Sequence, residues 1–421
     1  MKILNNLLVS DISGIGLKAI YGASGFFLIL FLHLKLNEHI FSTYVLLFAG
    51  IEIFGSIIKM GFPTILLREV SKKRIIEKDI NLKFESINGF YITLLLISFF
   101  SWIFLYEYVS ENFKYLFFIV PCSVVMNYGT LFFNLLRANG KFNSILIFEN
   151  CFKNIIIFIG TLFLLNILDI NYIFGIVFFA ISFNTLCLIL ITYSLKIKFT
   201  KTYNFNFFFI NKEAARIMIF NFLQVLPKQG IFYFFSFLGQ TKFIGDLRIA
   251  LSLFNFIRIP VIIFSAKYSP LLTNFVSNLK YYKIYSRKNF SNLTISIVVF
   301  VIAFYLVPLD FFTLIIKSDN VSEIVFLAKL ISISIIVDSI SSLNSTLILM
   351  KKKDFVLIKN YFISFSISSI LFYILIFLDY NKIIASSLFF IIYSIISNFL
   401  NNLFVKKYIG FSFFSWKNLL K

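Results

Sequence analysis

The sequence predicts an all-α polytopic membrane protein with about twelve transmembrane helices. Of its 421 residues, 59% are hydrophobic and only 14% are charged. A soluble domain is usually about 45–50% apolar and about 25% charged. Apolar runs of about 20 residues recur along the whole chain, and each is long enough to cross a bilayer as a helix. A water-soluble core could not bury this much apolar surface.

The apolar runs divide the chain into twelve segments with short polar connections between them. The stretch "MKILNNLLVSDISG" at the start is too polar after Leu8 to be a cleaved signal peptide. Hydrophobicity predicts helices at about 13–34, 40–66, 84–106, 115–136, 143–168, 172–195, 213–239, 247–277, 290–314, 322–350, 355–378 and 383–405.

Lysine and arginine collect on alternate connections. With the N-terminus in the cytoplasm, the inner segments hold 24 of the 39 Lys and Arg residues, the outer loops hold five, and ten fall within the spans. Cytoplasmic loops carry such an excess of positive charge. We therefore predict an even number of spans, with both termini in the cytoplasm. The stretch "REVSKKRIIEKDIN" (68–81) is then the first large inner connection, either a topology anchor or a collar that gathers an anionic lipid-linked substrate.

Two stretches suggest an internal repeat. "FSTYVLLFAGIEIFGSIIK" (41–59) and "IGDLRIALSLFNFIRIPVI" (244–262) align without gaps, and each precedes a basic inner loop. Repeated halves are common in transporters, although chance matching of apolar segments would give the same alignment. If the repeat is genuine, it predicts an N-terminal six-helix half at 1–200 and a C-terminal six-helix half at 201–421.

The motifs "G-F-P-T-x-L-L-R-E" after the second span and "LLRANGKFNSI" (135–145) after the fourth resemble those of the Wzx-type polysaccharide-unit flippases. These belong to a wider superfamily, MOP, with the lipid II flippase and the MATE multidrug exporters. The resemblance implies two six-helix bundles around a central cavity that spans one, two, seven and eight line. It implies alternating access that moves an undecaprenyl-pyrophosphate-linked oligosaccharide, an O-antigen or capsule repeat unit, to the outer leaflet of the bacterial inner membrane.

The same resemblance implies a non-enzymatic protein with no cofactor. Its partners would be the lipid-linked substrate and the bilayer, with a polysaccharide polymerase and a chain-length regulator beside it. Nucleic acid is excluded as a partner, because the cations are spread over many short loops rather than gathered on one face. The two histidines lack the spacing of a zinc site.

Cations inside predicted spans are costly and suggest function. Lys228 lies in "LPKQGIF" and Arg258 in "FIRIPVI", where prolines weaken the helices. An arginine also offers a planar fork that suits pyrophosphate. The alternative for both cations is an internal ion pair with Glu52 or Asp338. The candidate substrate-binding residues are Lys18, Lys59, Lys228, Arg248 and Arg258.

The few intramembrane acids predict charge balance or proton coupling. Glu149 and Lys153 are four residues apart, in the order that favours an ion pair on one helix face. Glu52 has no partner at helical spacing, so it could neutralise a cavity cation or carry a proton. The residues of this group are Glu52, Glu149, Lys153 and Asp338.

Two other functions fit a polytopic membrane protein. A polysaccharide polymerase would need a large outer loop with acid–base residues, and the longest outer loop, about 310–322, is short. A MATE-type exporter of cations or drugs should have acids lining its cavity, whereas here the interior cations outnumber the interior acids. Both remain alternatives to the flippase.

Overall fold

A computed structural model describes residues 23–65, 84–105, 114–138, 151–163, 170–194, 212–261, 297–316, 320–341 and 344–409, with isolated residues 20, 294, 295 and 318; residues 317 and 319 are not described. Within these ranges the regular structure is helical and no strand occurs. Fourteen helices are named here: α1 Ala23–Lys35, α2 Glu38–Ile58, α3 Phe84–Leu105, α4 Lys114–Ala138, α5 Cys151–Phe163, α6 Ile170–Ser194, α7 Lys212–Phe237, α8 Thr241–Ile257, α9 Ile297–Leu306, α10 Leu309–Ile315, α11 Val321–Ser341, α12 Asn344–Met350, α13 Asp354–Phe377 and α14 Lys382–Ile409.

Each of the twelve predicted segments contains at least one of these helices, so the all-α membrane fold is confirmed. Among the described residues, α2, α4, α6, α13 and α14 are each long and apolar enough to cross a membrane alone. The bent pair α9–α10 passes the same test as one broken span. The first, fifth and eighth predicted segments extend into residues outside the described ranges.

Helix α2 is bounded by local chemistry at both ends. The Asn37 side chain accepts a hydrogen bond from the Ile40 N–H at 2.8 Å, which caps the first turn. The helix ends at Ile58, earlier than the predicted residue 66, because Met60 and Gly61 adopt positive φ angles of 43° and 70°. Such angles are incompatible with a continuing right-handed helix. A Cβ on Gly61 would lie 2.7 Å from Ile217 Cβ.

The chain forms two compact units, Met1–Gly245 and Asp246–Lys421. Packing thus places α7 in the first unit, whereas the sequence repeat predicts a division between residues 200 and 201. The relation of the two halves by a repeat stays a prediction. In the first unit α2 packs against α4 and α7, and α4 packs against α3 and α6.

In the second unit, α14 packs against α11, α12 and α13. Asn360 on α13 donates a hydrogen bond of 2.9 Å to the Asn401 side chain on α14. Both asparagines are buried, so the bond satisfies polar groups where no water can reach them.

The ninth predicted span, 290–314, is not one straight helix: α9 and α10 meet at 86°. Pro308 stands between them, and it cannot continue the backbone ladder of α9. Lys329 of α11 satisfies the carbonyls left at the bend, because its Nζ donates to the carbonyls of Tyr305 at 3.0 Å and Val307 at 3.3 Å. The Tyr305 hydroxyl donates in return to the Lys329 carbonyl at 2.6 Å. This intramembrane lysine therefore has a structural partner.

Candidate functional site

The first unit contains a cavity of about 360 Å³ lined by residues of α2, α4, α5, α6 and α7, with Lys59 at the end of α2. This volume lies at the lower end of the range of about 300–1,000 Å³ that is common for small-molecule sites. The polar part of the lining comes from Glu52, Lys59, Lys153, Thr130, Asn134, Asn184 and Thr185.

Three ionisable side chains line this cavity. Glu52 and Lys59 are seven residues apart, which is two helical turns, so they lie on one face of α2 and its C-cap. Lys153 comes from α5, and its residue is only 8% exposed. Its Nζ lies 5.4 Å from the centre of the Phe48 ring, within the range of a cation–π contact. The lining therefore carries two formal positive charges and one negative charge.

Glu52 is held from the opposite wall by α7. The Gln229 amide, 7% exposed, donates a hydrogen bond to the Glu52 carboxylate. One turn later, the Tyr233 hydroxyl donates to the Leu46 carbonyl at 2.9 Å. Gly50 lies between these two contacts, and a Cβ there would meet both Ile119 and the Tyr233 hydroxyl. The close approach of α2 and α7 therefore requires a glycine at this position.

The uncharged polar side chains of α4 are tied to their own helix. Thr130 donates to the Met126 carbonyl at 2.9 Å, and the Asn134 amide donates to the Thr130 carbonyl, also at 2.9 Å. Donors used in this way leave the oxygens of both side chains as the groups that a ligand could approach. Phe48 and Phe133 add aromatic surface to the same cavity. Amides, hydroxyls and aromatic rings around two cations can bind a polar anionic group.

A second charged cluster lies in the second unit. Arg258 Nη2 is 3.1 Å from Asp338 Oδ2. Asp338 Oδ1 accepts hydrogen bonds from the Ser394 hydroxyl at 2.6 Å and the Asn398 amide at 2.9 Å. This is the internal ion pair that the sequence left open as the alternative for Arg258. The cluster joins the end of α8 to α11 and α14.

The structure thus sorts the residues predicted from the sequence. Glu52, Lys59 and Lys153 meet in the cavity, although 94 positions separate Lys59 from Lys153. Lys228 is exposed on α7, while Arg248 is half-buried on α8. Lys18 and Glu149 lie outside the described residues, so the predicted pairing of Glu149 with Lys153 stays a prediction.

Sequence reasoning missed Gln229, Ser394 and Asn398. Gln229 stands in the quoted stretch "LPKQGIF", but the charge of its neighbour Lys228 attracted the assignment. Ser394 and Asn398 are four residues apart on α14, a spacing that places both on one helix face. Within the described ranges, no group of three or more His, Cys, Asp or Glu side chains could hold a metal ion.

The helical arrangement is similar to that of solved transporter structures. It superimposes on the MATE multidrug transporter DinF-BH, seen in complex with rhodamine 6G, with a TM-score of 0.72 over 97% of this chain and 95% of that one, at 14% sequence identity. The chain has the fold of the MATE transporters.

Other MATE structures agree. A MATE protein in complex with MaL6 matches with a TM-score of 0.67 and 11% identity, over 95% of this chain and 96% of that one. A MOP superfamily transporter from Pyrococcus furiosus matches with a TM-score of 0.66 and 10% identity, over 96% and 94% of the two chains. No protein-family model matches the sequence, and no curated protein matches it.

Proposed function

We propose that this protein is a MOP superfamily membrane transporter that moves an undecaprenyl-pyrophosphate-linked oligosaccharide from the cytoplasmic to the outer leaflet of the bacterial inner membrane. The substrate would be an O-antigen or capsule repeat unit, carried by alternating access. The observation that carries this proposal is the cavity of the first unit, where Lys59 and Lys153 outnumber Glu52 inside a MATE fold. A surplus of positive charge suits an anionic substrate.

The two lysines and the glutamate have different roles in this proposal. Lys59 and Lys153 act as point charges that attract an anionic group of the substrate. Glu52, held by Gln229, balances part of this charge while the cavity is empty. The amides and hydroxyls of the lining give hydrogen bonds to sugar hydroxyls, and Phe48 and Phe133 give apolar surface to sugar rings.

The second candidate function is export of cations or drugs. It is favoured by the fold, because DinF-BH was solved in complex with rhodamine 6G. The sign of the charge in the cavity argues against it here. The Pyrococcus furiosus neighbour supports this argument by analogy, since the reverse polarity of its binding pocket suggests a different function for that transporter. A polymerase is disfavoured because the matching folds are those of transporters.

The proposed setting follows from the substrate. We place both termini in the cytoplasm on the strength of the loop charges. A polysaccharide polymerase and a chain-length regulator are the proposed partners, because a flipped repeat unit must then be joined to others in the outer leaflet.

The proposal is tested by flipping in proteoliposomes that contain the purified full chain and one undecaprenyl-pyrophosphate-linked oligosaccharide. Lys59→Met and Lys153→Met keep the side-chain length and remove the charge, and we expect each to lower the flipping rate at least about tenfold. Lys359→Met is the matched control, because Lys359 is exposed on α13 and lies in the second unit. It should flip at the wild-type rate.

The same vesicles distinguish the two functions. Rhodamine 6G is offered to the wild-type protein in place of the oligosaccharide. Transport of this dye without movement of the lipid-linked oligosaccharide would overturn the flippase and establish the exporter. Flipping that is insensitive to both cavity lysines would show that the cavity is not the substrate site.

A further inference from the structure

Asp338 and Arg258 are held unequally in their ion pair. Three donors hold the Asp338 carboxylate: Oδ1 accepts from Ser394 and Asn398, and Oδ2 lies 3.1 Å from Arg258 Nη2. By contrast, Arg258 Nε is buried and has no hydrogen-bond partner among the residues that the structure describes. The carboxylate is therefore anchored to α14, while the guanidinium is held at one nitrogen.

This geometry leaves the arginine incompletely paired. A guanidinium has five N–H donors in a planar fork and forms its strongest contacts through two parallel hydrogen bonds. Here the second oxygen of Asp338 is taken by Ser394 and Asn398, so it is not available to the fork. A phosphate group has several acceptor oxygens and can take two donors at once. It is thus a better partner for Arg258 than Asp338 is.

The position of Arg258 gives it room to exchange partners. It is the first residue after α8, and Pro260 follows two positions later. Its N–H still donates to the Phe254 carbonyl at 3.0 Å, so the backbone is fixed while the side chain leaves the helix end. The side chains of Arg258 and Asp338 are 23% and 20% exposed, so the pair is accessible to a ligand.

We propose that Asp338 is a displaceable counter-ion. It neutralises Arg258 within the membrane while no substrate is bound, and a phosphate of the substrate takes its place on the guanidinium. The exchange avoids a bare cation at this depth, which would be costly, and it sets the affinity for phosphate below that of an unopposed arginine. This inference rests on the proposed function, because it assigns the phosphate to the lipid-linked substrate.

The test is the binding of farnesyl pyrophosphate to the purified full chain in nanodiscs, measured by calorimetry. Asp338→Asn removes the competing charge and keeps the shape, so the probe should bind about three- to tenfold more tightly than to wild type. Arg258→Met should abolish the gain, and so should the double variant. Inorganic pyrophosphate should follow the same pattern, because the site reads phosphate rather than the tail. Farnesol, which carries the tail alone, should not.

Several results would overturn the proposal. If Asp338 only positions Arg258, then Asp338→Asn weakens binding. If it has no role, the affinity stays unchanged. A gain that survives in the double variant, or one that farnesol reproduces, would also contradict the exchange. If Asp338→Asn does not accumulate, Asp338→Ser also removes the charge and leaves an oxygen for Ser394 and Asn398.

A failure here is distinct from a failure of the proposed function. Wild-type vesicles could still flip the lipid-linked oligosaccharide and lose that activity in the Lys59 and Lys153 variants. In that case the transport stands, and only the role of Asp338 is wrong.

Discussion

The side-chain amide of Gln229 on α7 donates a hydrogen bond to the carboxylate of Glu52 on α2. The two residues are 177 positions apart, so tertiary packing alone brings them together. A second bond, from the Tyr233 hydroxyl to the Leu46 carbonyl, joins the same helices at 2.9 Å. These contacts fix one wall of the cavity against the other.

A double-mutant cycle should detect this hydrogen bond as a coupling between Glu52 and Gln229. A hydrogen bond to a charged group contributes about 1.5–3 kcal/mol. Gln229→Leu and Glu52→Gln should each lower the melting temperature of the purified protein. The double variant should lose less than the two single losses together, because both remove the same contact. Strict additivity would mean that the bond contributes nothing to stability.

The role of the Glu52 charge in transport can be separated from its role in stability. If Glu52 balances the cavity lysines, Glu52→Gln should impair flipping at every pH, because the variant keeps a permanently neutral group. If Glu52 carries a proton, the variant should flip with a flattened pH dependence. The measurement is the flipping rate across a pH series. A wild-type rate with a wild-type pH profile excludes both roles.

Gly50→Ala should disrupt the contact between α2 and α7. The added Cβ would collide with Ile119 and with the Tyr233 hydroxyl, which is 2.5 Å from its position. We expect a loss of about 1–3 kcal/mol, typical of overpacking, seen as a lower melting temperature. Gly175→Ala on α6 is the control, because a Cβ there meets nothing within 4 Å. That change should be neutral or should stabilise by about 0.5–1 kcal/mol. Equal effects of the two changes would contradict the packing argument.

Lys329→Met should destabilise the bend between α9 and α10. It leaves the Tyr305 and Val307 carbonyls without the donor that they have now. Leaving buried acceptors unsatisfied costs about 1–3 kcal/mol. The measurement is the amount of folded protein that elutes as a single species after detergent extraction. Lys359→Met removes an exposed lysine from another helix and should leave that amount unchanged. If both variants accumulate equally, the lysine does not support the bend.

Lys352 and Asp379 should be accessible from opposite sides of the membrane. They lie in turns at the two ends of α13, each at positive φ, and the 24 residues of that helix span about 36 Å. In a background lacking Cys122, Cys151 and Cys187, cysteines at Lys73, Lys198, Lys283 and Lys352 should label from the cytoplasm only. Cysteines at Glu111, Asp169 and Asp379 should label from outside. Labelling of positions 352 and 379 from one side would refute the orientation of α13 and the span count with it.

The sequence predicted the helices better than the site, for a physical reason. The third predicted segment, 84–106, matches Phe84–Leu105, because the length of an apolar run directly reports how much chain the bilayer must cover. Proline and glycine explain the exceptions. Pro308 breaks the ninth span, and Met60 with Gly61 ends the second span early. Those breaks depend on backbone angles that an apolar pattern does not encode.

The site depends on contacts between distant helices, and no spacing in the sequence reveals them. The four-residue spacing pairs Lys153 with Glu149, yet the Lys153 side chain lines the cavity with Glu52 and lies over Phe48. The sequence names the Arg258–Asp338 pair only as one of two alternatives. Gln229 escapes notice because an amide has no charge, and only burial against Glu52 reveals its importance.

The contact between Glu52 and Gln229 also sets an order of events during synthesis. A ribosome adds about 5–20 residues per second, so the 177 residues between them take roughly 9–35 s to make. For that interval the nascent α2 holds a carboxylate in or near the bilayer before its amide partner exists. An acidic side chain at the centre of an inserting helix is disfavoured by about 2.5–3.5 kcal/mol. The early membrane intermediate must therefore shelter Glu52 in another way, and the insertion machinery is the place where that shelter is provided.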